Sequence, residues 1–96
     1  MVDSPTQLVL DVSAASSGRE LHDFLAERLK FPAFYGRNWD AFWDCVTDPQ
    51  LSSLPAELII VGLDALDRRL PREGAMLRQS LEDLAREQTS CKVVVR

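Results

Sequence analysis

Asp40 and Asp44 stand four residues apart in the run N-W-D-A-F-W-D-C, Asn38 to Cys45. That spacing stacks two side chains on one face of a helix. Two carboxylates so placed could share a proton for acid–base work, hold a magnesium-like cation, or offer a doubled negative charge to a cationic partner. The first two roles need company. A divalent cation wants further oxygen ligands from elsewhere, and no stretch supplies a convergent set. His22 is the one histidine; it falls mid-helix, where a solvated or core-edge imidazole is the ordinary reading. Cys45 lies inside a helix between Asp44 and Val46, the setting of a buried structural thiol. No glycine-rich phosphate loop occurs. The chain is therefore not expected to be an enzyme, and no cofactor or metal is expected. A small enzyme built on Asp40 and Asp44 is the lesser reading.

The third role fits the surroundings better. At about 100° per residue, Phe42 and Val46 share one helix face, flanked by Cys45 and Trp39. Trp43 and Thr47 border the acidic face. On its own this pattern is a helix with a core side and a solvated side. Yet like charges four residues apart repel by a few tenths of a kcal/mol. The helix dipole offsets Asp40 in the first turn and does much less for Asp44. Aromatic anchors beside carboxylates are also a frequent make-up of protein interfaces.

The segment that must position these groups runs from Phe31 to Thr47. It holds both tryptophans, the single tyrosine and three of the four phenylalanines. Pro32 stops the preceding helix, because its ring removes a donor and disfavours helix at Phe31. Tyr35-Gly36-Arg37 reads as a loop, with Gly36 free to take a left-handed backbone. Asn38 reads as the N-cap of a helix from Trp39 to Thr47, which Asp48-Pro49 ends.

Around that segment the chain reads β-α-α-β-α-α-β. Gln7 to Val12 is a strand, with Leu8, Val9, Leu10 and Val12 expected to be mostly buried. A helix runs from about Gly18 or Arg19 to Lys30, capped by Ser16 or Ser17, with Leu21, Phe24, Leu25 and Leu29 at helical spacing. Leu58 to Val61 is a central buried strand. Leu63 to Leu70 is a short helix closed by Pro71. A longer helix spans 73–89, with Ala75, Met76, Leu77, Leu81, Leu84 and Ala85 inward. Lys92 to Val95 is a last strand. Strands separated by helices imply parallel pairing, hence a small two-layer α/β fold: a three-stranded parallel sheet with about four helices on one face.

The 96 residues suffice for one domain, 1–96, with 1–6 expected to be loose. The apolar share is 46%, the charged share 27% and the net charge −4. An acidic chain of this kind is not expected to bind nucleic acid directly, since phosphates call for a basic patch. Cys45 and Cys91 have no second ligand at zinc spacing and read as free thiols in a reducing compartment. Asp3, Gln7 and Asp11 interrupt any signal-like apolar run, and no stretch approaches the roughly 20 apolar residues of a membrane span.

The run F-Y-G-R-N-W-D-A-F-W-D-C resembles the barstar family of ribonuclease inhibitors, chiefly through Tyr35-Gly36, Asn38, Asp40-Ala41 and Trp43-Asp44-Cys45. Leu21-His22, Pro32 and Cys91 before a terminal strand extend the likeness along the chain. The resemblance implies a barstar-like fold, a cytoplasmic monomer, and a 1:1 complex with an extracellular-type bacterial ribonuclease. It implies a partner-binding set of Phe34, Gly36, Asn38, Trp39, Asp40, Trp43 and Asp44, with Asp44 the dominant aspartate. Three positions depart from the family's pattern: Phe34 stands for a tyrosine, Trp39 for a leucine, and Arg37 for an acidic residue. A cation at Arg37 would weaken docking on a basic site unless the partner offers an acid there. The family's last-helix glutamate has no single counterpart; Asp83, Arg86 and Glu87 are the candidates. The alternative reading is a barstar-like interaction module whose target is not a ribonuclease.

Overall fold

Three branched or apolar runs make the sheet: β1 (Gln7–Asp11), β2 (Glu57–Val61) and β3 (Lys92–Val95). They pair in parallel in the order β1-β2-β3. Between them lie α1 (Gly18–Leu29), α2 (Trp39–Thr47), α3 (Leu63–Arg69) and α4 (Pro71–Glu87). The structure, a computed structural model, describes residues 7–51, 54–88 and 90–96. The reading of 1–6 as loose, of Ser52 and Ser53 as loop, and of Thr89 as the end of the last helix lies outside the described residues.

The register shows which side of the sheet carries the core. Leu8, Leu58 and Val93 align across the three strands, and so do Leu10 and Ile60. These join one cluster with Leu21, Leu25 and Leu29 of α1, Phe42 and Val46 of α2, Leu63 and Leu66 of α3, and Leu77, Leu81 and Leu84 of α4. All four helices therefore bury their apolar stripes on that face. Val9 is on the other face, paired with Ile59, and is 44% exposed rather than buried. Alternation along a strand sends neighbours to opposite faces; on the face away from the helices the central-strand Ile59 is still only 1% exposed, and it is Val9, on the edge strand, that stands open.

Local chemistry explains the helix ends. Ser17, not Ser16, caps α1, its hydroxyl accepting from the Glu20 amide at 3.1 Å. Glu20 in turn accepts from the Ser16 amide and hydroxyl, a reciprocal arrangement that satisfies orphan donors. Lys30 takes a left-handed backbone, φ 60°, and ends α1 one residue earlier than expected. Pro71 does more than close α3. It is the first residue of α4, where its missing N–H would have had no intrahelical partner. The inward stripe of α4 is Gly74, Leu77, Leu81 and Leu84, so Ala75, Met76 and Ala85, expected inward, face solvent. A helical stripe follows spacings of three and four, and apolar residues off that line fall outside it.

Candidate partner-binding surface

Asn38 anchors the site as its sequence position implies. Its side-chain oxygen accepts from the Ala41 amide at 2.7 Å, and its amide nitrogen donates to the Gly36 carbonyl at 3.3 Å. One side chain thus fixes both the start of α2 and the loop before it. The left-handed residue of that loop is Arg37, φ 52°, not Gly36. The reversal falls immediately before the cap, on the residue after the one whose lack of a side chain left it free to make it. Gly36 answers to space instead. A Cβ there would lie 3.2 Å from Asn38 Nδ2 and 3.5 Å from Ala41 Cβ, crowding the cap.

Behind the loop, five rings form a closed circuit. His22 packs on Trp39 with centroids 4.5 Å apart, Trp39 on Phe42 at 5.4 Å, Phe42 on Phe31 at 5.8 Å, Phe31 on Tyr35 at 4.9 Å, and Tyr35 on His22 at 5.7 Å. Contacts of this kind add about 0.5–1.5 kcal/mol per pair beyond area burial. The Tyr35 hydroxyl and His22 Nδ1 share a 2.5 Å hydrogen bond. His22 is 3% exposed, so its role is that of a core histidine tying α1 to the loop. Burial pushes its pKa below the usual imidazole range, outweighing the attraction of Glu73 and Asp23. Burial likewise pushes the Tyr35 phenol up, keeping it a neutral donor or acceptor.

The surface of this scaffold carries the expected contact residues. Phe34, next to buried Tyr35, is 74% exposed. Gly36, Asn38, Asp40 and Asp44 are exposed, and Trp43 is half-buried. Among the described residues neither Asp40 nor Asp44 has an ion-pair or hydrogen-bond partner. Trp39 is placed differently from the others. Half-buried, it donates from Nε1 to Glu73 Oε1 at 2.9 Å, which pins α2 to α4. Arg37 donates from Nε to Asp23, whose carboxyl this hydrogen bond holds below its usual range. Cys45 and Cys91 are buried free thiols, and burial pushes the pKa of each up, away from the reactive thiolate.

Sequence reasoning missed the His22–Tyr35 bond and the Glu73 clasp on Trp39. The alternation of exposed Phe34 with a second ring at Tyr35 was the one signal for the former. Nothing in spacing announced the latter, because 34 residues separate the partners. Of the last-helix candidates, Asp83 is engaged by Arg86, while Glu87 is exposed.

Comparison with known proteins adds two findings. The family model described as Barstar (barnase inhibitor) matches residues 6–96. A Bacillus subtilis protein named "Putative ribonuclease inhibitor YrdF" is 44% identical over 41 residues, which is 43% of this chain and 45% of that protein. The match thus spans less than half the length of that relative.

Proposed function

The chain belongs to the barstar family, and on that premise we propose that it is a non-catalytic inhibitor of a barnase-like ribonuclease of the extracellular type. The inhibitor acts in the cytoplasm as a monomer and blocks the enzyme's active site in a 1:1 complex. A ribonuclease holds phosphates with cations, so its site attracts carboxylates. Asp40 and Asp44 take the phosphate positions, Trp43 excludes water beside them, and Phe34, Gly36 and Asn38 complete the contact. Trp39 contributes an edge while its ring holds α2 in place.

The observation that carries this reading is the exposure of two unpaired aspartates, one turn apart, on a helix whose other face is fully engaged. An unpaired like-charge pair gives the free chain nothing; it gains once a cationic partner displaces water and matches both charges. The same field would steer encounter and make association depend steeply on salt.

The test is titration into barnase, following RNA cleavage, with Asp40→Ala/Asp44→Ala alongside. Stoichiometric inhibition that disappears in the variant is the expected result. Equal inhibition by the variant would reject these residues as the contact. A second reading is favoured by Arg37 and by the loss of a hydroxyl at Phe34: the module then docks on a non-nuclease protein, and the wild-type chain leaves RNA cleavage untouched.

A further inference from the structure

The positive charge on the docking loop is not isolated. A cleft of about 360 Å³ opens beside the start of α2, lined by Arg19 of α1, Arg37 of the loop and Arg72 and Glu73 of α4, with Asn38 and Trp39 as one wall. Three arginines from three distant segments thus line it together with one glutamate. That carboxylate is committed to the Trp39 indole. Asp23, outside the cleft, takes only the Nε–H of Arg37, which leaves the four N–H donors on its terminal nitrogens available. Arg19 and Arg72 have no ion-pair partner among the described residues.

Four of the six arginines outside the cleft are matched inside the chain; Arg68 and Arg96 have no side-chain partner among the described residues. Arg78 pairs with Asp67 at 2.5 Å, Arg86 pairs with Asp83, Arg28 donates to the Val9 carbonyl, and Arg69 donates to the carbonyls of Ser13 and Ala15. In the cleft three arginines share one lining glutamate, with Asp23 beside Arg19 and Arg37 as the other nearby anion, so positive charge is in excess there and a further anion would be favoured. Arg37 is also held ready. A left-handed backbone, uncommon for a residue with a side chain, and the bond to Asp23 both restrict its side chain beside the cleft.

From this we propose, building on the inhibitor reading, that the cleft receives an aspartate or glutamate side chain of the partner ribonuclease. Guanidinium forks match a carboxylate in two-point geometry, and the Trp39 ring supplies apolar surface for its stem. The cleft shares Asn38 and Trp39 with the proposed contact surface, so one docking event engages both. The surface is then bipolar: Asp40 and Asp44 meet the cationic centre of the enzyme, and the arginine cleft meets an acid at its rim. A ribonuclease with a cation at that rim position is turned away by repulsion, which makes Arg37 a determinant of partner choice.

Two measurements test this. In the first, the free chain is titrated with hexaglutamate, and separately with inorganic phosphate, while the Trp39 indole and arginine Nε signals are followed by NMR. Saturable shifts with hexaglutamate, weakened about tenfold or more in Arg37→Gln/Arg72→Gln, are expected. No response to the peptide, or a stronger response to phosphate, overturns the proposal. In the second, binding of barnase-type ribonucleases is compared for the wild-type chain and Arg37→Glu, with an acid-to-amide scan of each enzyme that binds. One enzyme acid should couple to Arg37 by about tenfold in a double-mutant cycle. Binding within about twofold of wild type, with no coupled acid, overturns the cleft and leaves the inhibitor reading standing. A cleft that takes hexaglutamate in a chain that inhibits no ribonuclease upholds the carboxylate site and overturns the inhibitor reading. Unchanged melting of the variants keeps unfolding out of the result.

Discussion

The chain treats its acidic side chains in two opposite ways on neighbouring helices. On α3 and α4, four carboxylates have partners: Arg78 reaches Asp67 at 2.5 Å and Asp64 at 3.8 Å, Arg86 holds Asp83, and Glu73 takes the Trp39 indole, while Glu82 and Glu87 are exposed with none among the described residues. On α2, Asp40 and Asp44 stand exposed with no such partner among the described residues. The difference is one of purpose. Internal pairs at the surface contribute little, but they leave no charge seeking a match. Unmatched charges fixed on a rigid helix keep their whole capacity for another molecule, at a small cost to the free chain.

The largest effect should come from removing the unmatched side. On the proposed inhibitor reading, Asp44→Ala should weaken binding to a ribonuclease by about 2–5 kcal/mol, the range for truncating one member of a desolvated charge pair. Stability should hold, or rise by a few tenths of a kcal/mol as repulsion from Asp40 is relieved. Calorimetric binding and thermal melting on the same sample separate the two; a fall in melting temperature with binding intact would break the comparison.

Gly74→Ala strikes the matched side. A Cβ there would lie 2.1 Å from Asp67 Oδ1 and 3.1 Å from Asp67 Cα, so the Asp67 carboxylate must swing off its Arg78 partner and the helices give slightly. A loss of about 1–3 kcal/mol of stability is expected, read by urea denaturation. Inhibition measured well below the melting temperature should survive it.

The aromatic scaffold under the docking loop should respond to pH. The pKa of folded His22 lies below its ordinary value of 6.5, chiefly through burial. Its neutral form is the one the fold favours. The contribution is therefore complete above that ordinary value and declines as pH falls from it toward the lowered folded value. The slope from this group cannot exceed about 1.4 kcal/mol per pH unit, the limit for one proton. Melting curves at about pH 7.5 and about pH 5.5 should show the decline, and His22→Gln should flatten it. Equal pH dependence in the variant would place the titration elsewhere.

The smallest effect is reserved for Arg78→Ala. Both partners are more than a third exposed, and such pairs are worth about 0.2–1 kcal/mol. A modest drop in melting temperature with binding unchanged would sharpen the contrast with Asp44.

Much of this was readable along the chain because it depends on near neighbours. The seven elements and their order follow from periodicity and from breakers such as Pro32 and Pro49. The Asn38 cap joins residues three apart, and the shared face of Asp40 and Asp44 is set by helix geometry alone. Errors appeared wherever a side chain's fate depended on what packs above it. Val9 is as apolar as Val12 but lies at the sheet's edge on the face away from the main core, and Met76 is as apolar as Leu77 but lies off the stripe.

What the amino-acid sequence determined by itself, then, is the order of elements, the capped α2 and the pair of carboxylates on it, all local consequences of propensity and spacing. Tertiary structure alone decided which helices cover which face of the sheet, that His22 is buried against Tyr35, that Glu73 holds Trp39, and that Arg19, Arg37 and Arg72 share one cleft. Those contacts join residues from separate elements. Their distances arise only when the helices dock on the sheet, and no periodicity in one segment encodes the position of another.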